Sequence, residues 1–233
     1  MSTVLESHLF DPAKVAVLIP AYCEAFHIGD VVRRVCEQLC TVLVIDDGSP
    51  DMTADCARQA GAEVIVHPKN AGKGAAIKTG LRVLLERKFD YVLILDADGQ
   101  HIPEEIGRFL SAAAAETGSP CGIWIGNRMS RTKGMPWARW FTNRMMSRII
   151  SRLCRQTIPD SQCGFRMIHK DVIPHLFCES NSYDYETEML LIAARRGYRV
   201  GNVPVTTVYG NEISKIKPIR DGVRFWQLLN RYR

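Results

Sequence analysis

Tyr91-Val92-Leu93-Ile94-Leu95-Asp96-Ala97-Asp98 is the stretch that decides the reading of this chain. Five strand-forming residues run without a break and stop at two carboxylates one residue apart. This is the pattern of a buried parallel strand that delivers acids to its C-terminal edge. In open α/β sheets ligands bind at that edge. Residues i and i+2 of an extended segment point the same way, and two carboxylates on one side repel unless a positive charge, most often a divalent metal, lies between them. Gln100 and His101 follow at once and offer the same rim a carbonyl oxygen and an imidazole.

Working outward, short β-branched runs at 15–19, 42–45 and 63–66 precede this strand. Segments 28–39, 52–60 and 74–86 between them carry apolar residues at helical spacing. A helix at 103–114 and a strand at 122–125 continue the alternation. Such alternation predicts an α/β, Rossmann-like fold, a mostly parallel central sheet with helices on both faces. Past residue 128 the rhythm changes to a long basic helix at about 136–154, a loop at 159–165, an acidic helix starting near Asp184, two short strands around 198–208 and a final helix. No linker or repeat interrupts residues 1–233, so one domain with an elaborated second half is expected.

Composition is that of an ordinary globular protein, 46% hydrophobic and 24% charged. The eight cysteines include no Cys-x-x-Cys pair and no zinc-ligand spacing, and such scattered thiols suit a reducing cytoplasm. Cys36 and Cys40, one helical turn apart, read as core, as do Trp124 and Trp226. The first fourteen residues lack the apolar run of a secretion signal, and no window approaches the ~18 uncharged apolar residues of a spanning helix.

Two more clusters fall at C-terminal strand edges. The first strand ends in Pro20-Ala21-Tyr22-Cys23-Glu24, the second in Asp46-Asp47-Gly48-Ser49 with Asp51 and Thr53 beyond. Acids at such a rim can hydrogen-bond a ribose or a base N–H; Asp46-Asp47-Gly48-Ser49 can equally be a tight strand-to-helix turn. Asn70-Ala71-Gly72-Lys73-Gly74 places a lysine at a helix start, a suitable phosphate cradle. It is not a Walker loop, since no Ser or Thr follows Lys73, and no Gly-x-Gly-x-x-Gly turn follows the first strand.

In this order the clusters resemble the family-two glycosyltransferases of the GT-A fold, and among them the polyprenyl-phosphate (dolichol-phosphate type) sugar transferases. The resemblance continues through Gly126-Asn127-Arg128, the run from Asp160 to Arg166, Tyr185-Glu186-Thr187-Glu188-Met189-Leu190 and Ser214-Lys215-Ile216. Cys23 stands where the family usually has Asn, and Asn127 where Ser is common. The resemblance implies that Pro20, Ala21, Tyr22, Glu24, Asp46, Asp47, Gly48, Lys73, Asp96 and Ala97 bind a nucleotide-sugar donor. Asp96, Asp98 and Gln100 would hold Mg2+ or Mn2+ against its diphosphate, and Arg128 and Lys215 would assist on phosphates. Residues from about 14 to 126 would form the donor half and those from about 127 the acceptor half. Transfer would invert the anomeric carbon.

A lipid monophosphate is already an anion at neutral pH and needs no general base, whereas a sugar hydroxyl must lose a proton. Asp160, Asp184 and Glu186 are the acids available for that task, or for positioning the donor sugar or capping the helix at Asp184. Eight Lys or Arg and no acid lie from Arg128 to Arg155. Arg144, Arg148 and Arg152 form one stripe of the basic helix, beside a second of Trp137, Phe141, Met145, Ile149 and Leu153. Such a helix suits an anionic membrane surface or a solvated flank on the core, and with Arg128 and Arg166 it would receive a lipid phosphate. No recognition module for nucleic acid accompanies the charge. The expected protein is a cytoplasmic enzyme, peripheral at the inner membrane face, alone or beside a separate membrane subunit. A glycan hydroxyl acceptor, a nucleotidyltransferase and a non-catalytic scaffold are the competing readings.

Overall fold

The computed structural model describes residues 10–116, 121–130, 132, 134–208 and 218–232. Seven strands form one sheet: β1 (Val15–Ala21), β2 (Val42–Asp46), β3 (Glu63–Val66), β4 (Tyr91–Ile94), β5 (Cys121–Asn127), β6 (Arg166–His169) and β7 (Arg199–Pro204). Their order is β3-β2-β1-β4-β6-β5-β7. The helices are α1 (Ile28–Cys36), α2 (Thr53–Gln59), α3 (Lys73–Glu86), α4 (Ile106–Ala114), α5 (Trp137–Cys154), α6 (Asp184–Arg195) and α7 (Pro218–Arg231).

Burial explains the strand sequences. β1 and β2 are buried along their whole length and read as continuous apolar runs, because helices cover both faces. β3 and β7 close the two edges, and exposed polar positions interrupt them. α1 shows the matching helical logic: Ile28, Val31, Val32 and Val35 fall on one buried face. Each such side chain taken out of water stabilises the fold by about 1.5–3 kcal/mol.

β1, β2, β3 and β4 are mutually parallel, β5 is parallel to β7, and β6 runs antiparallel to both β4 and β5. The sheet is mostly parallel, as expected; the reversed strand β6, which begins directly after the 159–165 loop, was not among the expected elements. Register pairs Ile94 with Arg166, so the start of β6 lies at the same edge as the end of β4. Of the two short strands expected around 198–208, one forms; the remainder contributes a single bridge from Thr207 to His101.

Two further expectations are corrected. Cys36 and Cys40 are exposed, because they lie at and beyond the C-terminus of α1, past its buried face. Trp226 is half exposed on α7, while Phe225, Leu228 and Leu229 supply that helix's buried side. On α5 the buried positions are Asn143, Ser147, Ile150 and Cys154, so Trp137, Phe141 and Met145 face outward; Ile149 and Leu153 pack on the core.

Candidate active site

The clusters at 20–24, 46–49, 96–98 and 126–128 lie at the sheet edge where β1, β2, β4 and β5 end and β6 begins. Asp96 and Asp98 follow β4 directly. Gln100 N donates to Asp98 Oδ1 (3.0 Å), which fixes the second carboxylate in a tight turn. Burial, and then the neighbouring Asp96, push the Asp98 carboxyl up to about 6. Behind the pair, buried His101 stacks on Phe165 with ring centroids 5.2 Å apart and accepts the Asp96 backbone N–H at Nδ1 (3.3 Å). Burial pushes His101 down to about 4, so it stands neutral and serves as a rest for Asp96.

Lys73, the first residue of α3, reaches across the cleft. Its Nζ stands 2.6 Å from Asp96 Oδ1 and 2.9 Å from Glu186 Oε2 on α6. Burial opposes its charge, but the two carboxylates overrule burial and hold the ammonium above its ordinary value. Asp96 shows the converse: burial pushes it up, the Lys73 ammonium chiefly outweighs that, and it settles at about 2. Gly72 enters α3 at φ 102, a left-handed conformation suited to glycine, and a Cβ there would collide with the Asn181 carbonyl. Gly164 packs against the first acid so closely that a Cβ would lie 2.5 Å from Asp96 Oδ2.

Asp46 and Asp47 are buried and turned onto loops. Asp46 Oδ1 accepts Ser49 N (3.0 Å), and Ser49 Oγ accepts Cys23 N (2.9 Å), which clamps the 22–27 rim. Asp47 accepts Ala71 N at Oδ1 (3.0 Å) and Gly72 N at Oδ2 (2.7 Å), and its Oδ1 also bonds His67 Nδ1 (2.7 Å). The other nitrogen of His67 meets Thr79 Oγ1 (3.0 Å). In the sequence the spacing of His67 from the other histidines suggests no shared site; the one signal for it is its position directly after β3, on the rim. Ala21 ends β1, Glu24 N donates to Thr53 Oγ1 (2.8 Å), and Tyr22 is partly exposed at the cleft mouth.

On the far side Arg128 and Asp160 are buried against each other. Arg166 was expected to contact the acceptor or the membrane. It is fully buried and donates to the carbonyls of Cys163 (2.8 Å), Ser161 (3.0 Å) and Glu186, tying the 161–163 turn to α6. Asp184 begins α6 with its Oδ1 buried and without a hydrogen-bond partner among the described residues. Tyr185 is core and donates to the Leu176 carbonyl (3.0 Å), whereas Tyr183 lies beside Lys73. Arg144 and Arg148 are exposed on α5. Lys215 lies outside the described residues.

Hard carboxylate oxygens are the donors that Mg2+ and Mn2+ prefer. Among the described residues no three His, Cys, Asp or Glu side chains converge into a cage. Asp96 and Asp98 therefore fit the site type in which one or two carboxylates share the cation with substrate phosphates.

Residues 16–177 match the sequence profile of glycosyl transferase family 2. The chain belongs to that family. This glycosyltransferase is 31% identical over 210 residues to the undecaprenyl-phosphate mannosyltransferase of Micrococcus luteus, an alignment covering 84% of each chain. It is 30% identical over 217 residues to the polyprenol monophosphomannose synthase of Mycolicibacterium smegmatis, covering 84% of this chain and 80% of that one. The glucosyl-3-phosphoglycerate synthase of Mycobacterium tuberculosis, in complex with Mg2+ and UDP, shares its fold with a TM-score of 0.71 at 17% identity, over 94% of this chain and 78% of that one. The glycosyltransferase has the GT-A fold that its motifs implied. No helix among its described residues is long and apolar enough to cross a membrane.

Proposed function

We propose that this glycosyltransferase moves a hexose from a UDP- or GDP-linked donor to a polyprenyl phosphate, with inversion, at a membrane surface. The observation that carries the acceptor assignment is the state of the candidate bases. Asp160 has both oxygens on Arg128, and Glu186 is paired with Lys73. An acceptor that arrives as a phosphate anion needs neither of them.

In this reading the donor half brings the nucleoside to the rim formed by Tyr22, Glu24 and the 46–49 turn. Lys73 at the start of α3 meets the diphosphate, joined by the helix N-terminus. Asp96 and Asp98, with Gln100 beside them, would hold Mg2+ or Mn2+, a Lewis acid that neutralises charge building on the leaving nucleoside diphosphate. Arg128 orients the floor of the acceptor half through Asp160. α5 rests on anionic lipid, with Trp137 and Phe141 at the interface and Arg144, Arg148 and Arg152 beside them. Support for this last point is the outward aromatic face of α5, where Trp137 is 82% and Phe141 58% exposed.

The unpartnered Oδ1 of Asp184 favours a second reading, in which Asp184 takes the proton of a glycan hydroxyl. One assay separates them: transfer of label from a panel of UDP- and GDP-sugars, with Mg2+ or Mn2+, to undecaprenyl phosphate in detergent. Metal-dependent label in the organic phase, lost in Asp98→Ala and kept in Asp184→Asn, is the expected result. No lipid product, with metal-dependent donor hydrolysis that Asp184→Asn abolishes, would move the acceptor to a hydroxyl.

A further inference from the structure

Lys73 stands where a metal and a donor would compete for it. Its ammonium lies 2.6 Å from Asp96 Oδ1, and Glu186 holds it from the opposite side at 2.9 Å. The attachment is stiff as well as close: the lysine opens α3, and the loop before it is pinned by both oxygens of Asp47. An ammonium and a dication on one carboxylate repel each other at short range in a cleft shielded from water. With Asp96 paired to Lys73 and no third His, Cys, Asp or Glu side chain converging among the described residues, the protein alone makes a poor divalent site.

From this geometry we infer that Lys73 is a resident counter-ion which keeps the divalent cation off Asp96 until the diphosphate of the donor arrives. The diphosphate gives Lys73 another anion to hold, frees Asp96 for the cation, and adds its own oxygens to the coordination shell. Metal and donor then bind with positive coupling, which runs equally in both directions. The inference rests on the nucleotide-sugar reading above, and it makes Lys73 a gate on metal entry in addition to a phosphate contact.

The test is equilibrium dialysis of Mn2+ against the purified protein, with and without UDP, for wild type, Lys73→Met and Lys73→Gln. Thermal melts confirm that each variant is folded. Lys73→Gln keeps polar reach to both carboxylates without the charge. The expected result is weak Mn2+ binding by nucleotide-free wild type, strengthened by UDP. In both variants nucleotide-free binding is tighter by at least about fivefold, the lower end of usual coupling between sites, and the further gain from UDP shrinks. Folded variants that bind Mn2+ no more tightly than wild type without UDP would overturn the inference while leaving a metal-dependent transferase in place. Failure of all three proteins to retain Mn2+ with UDP would remove the metal reading itself, and the inference with it.

Discussion

Arg128 and Asp160 hold each other in a two-pronged ion pair sealed from water: Nε to Oδ2 at 2.7 Å and a terminal guanidinium nitrogen to Oδ1 at 2.9 Å, with the Arg128 backbone N–H adding a third bond to Oδ2 at 3.1 Å. Breaking a buried pair by removing one partner typically costs about 3–5 kcal/mol. Asp160→Asn is therefore expected to lose about 3 kcal/mol or more of folding stability in urea titrations at unchanged slope. A proton-accepting role would instead abolish turnover and leave stability near wild type.

The clamp at Asp47 makes a local prediction. Asn offers one acceptor where Asp offers two, so in Asp47→Asn either Ala71 N–H or Gly72 N–H loses its partner. An unpaired amide costs about 1–3 kcal/mol, so exchange of that amide with solvent should quicken by about tenfold to a hundredfold. Hydrogen exchange read by NMR at residues 71 and 72 checks this, and donor KM should rise with it.

Gly164→Ala puts a methyl group where the Asp96 carboxylate now lies, at 2.5 Å. The carboxylate has to move by the better part of an ångström, and misplacement of that size costs on the order of a hundredfold in rate. Steady-state transfer assays should show that loss in kcat/KM, with a near-native circular dichroism spectrum.

Glu188 gives the pH dependence. Burial pushes its carboxyl up, but hydrogen bonds from Cys178, Ser180 and Tyr232 and the charge of Arg231 outweigh that and leave it below its ordinary 4.5. A carboxylate depressed on folding adds stability above its unfolded pKa and loses it as pH falls through the folded one. Wild type should exceed Glu188→Gln in stability at pH 7. The gap should narrow progressively below about pH 4.5.

Membrane docking by α5 predicts a charge and aromatic dependence that vesicle co-sedimentation reads directly. Each basic residue near an anionic surface contributes about 1 kcal/mol. Arg144→Glu with Arg148→Glu should therefore weaken binding to anionic vesicles by at least about thirtyfold, and Trp137→Ala should weaken it further. Equal binding to neutral and anionic lipid would exclude this role.

What could be read in advance follows from the kind of interaction involved. β1, β2 and β4 were legible because strands covered on both faces must be apolar throughout, and their acid-rich ends announced the rim. β6 was not, because four residues opening on a buried arginine carry neither alternation nor an apolar run. The partnerships were hidden as well. His67 meets Asp47 across 20 residues and Arg128 meets Asp160 across 32, and a single chain displays no sign of such long-range pairing. The exposed aromatics of α5 were visible as a stripe, but the side on which the helix packs is decided by Asn143 and Ser147, which look like surface residues.

The reversed strand also sets an order of events during synthesis. β3, β2, β1 and β4 pair in parallel within the first hundred residues, joined through helices. β5 emerges next with no neighbour to pair with, since its partners among the described residues are β6 and β7, which come later. An apolar strand without a partner invites pairing with another chain. A nascent chain paused between residues 127 and 166 therefore exposes two sticky edges, β4 and β5, until β6 slides in between them. Asp46, Asp47, Lys73, Asp96 and Asp98 are all made before that step, whereas Glu186, the second carboxylate on Lys73, follows β6 on α6, so the acid that holds Lys73 from the far side is the last part of the cluster to be made.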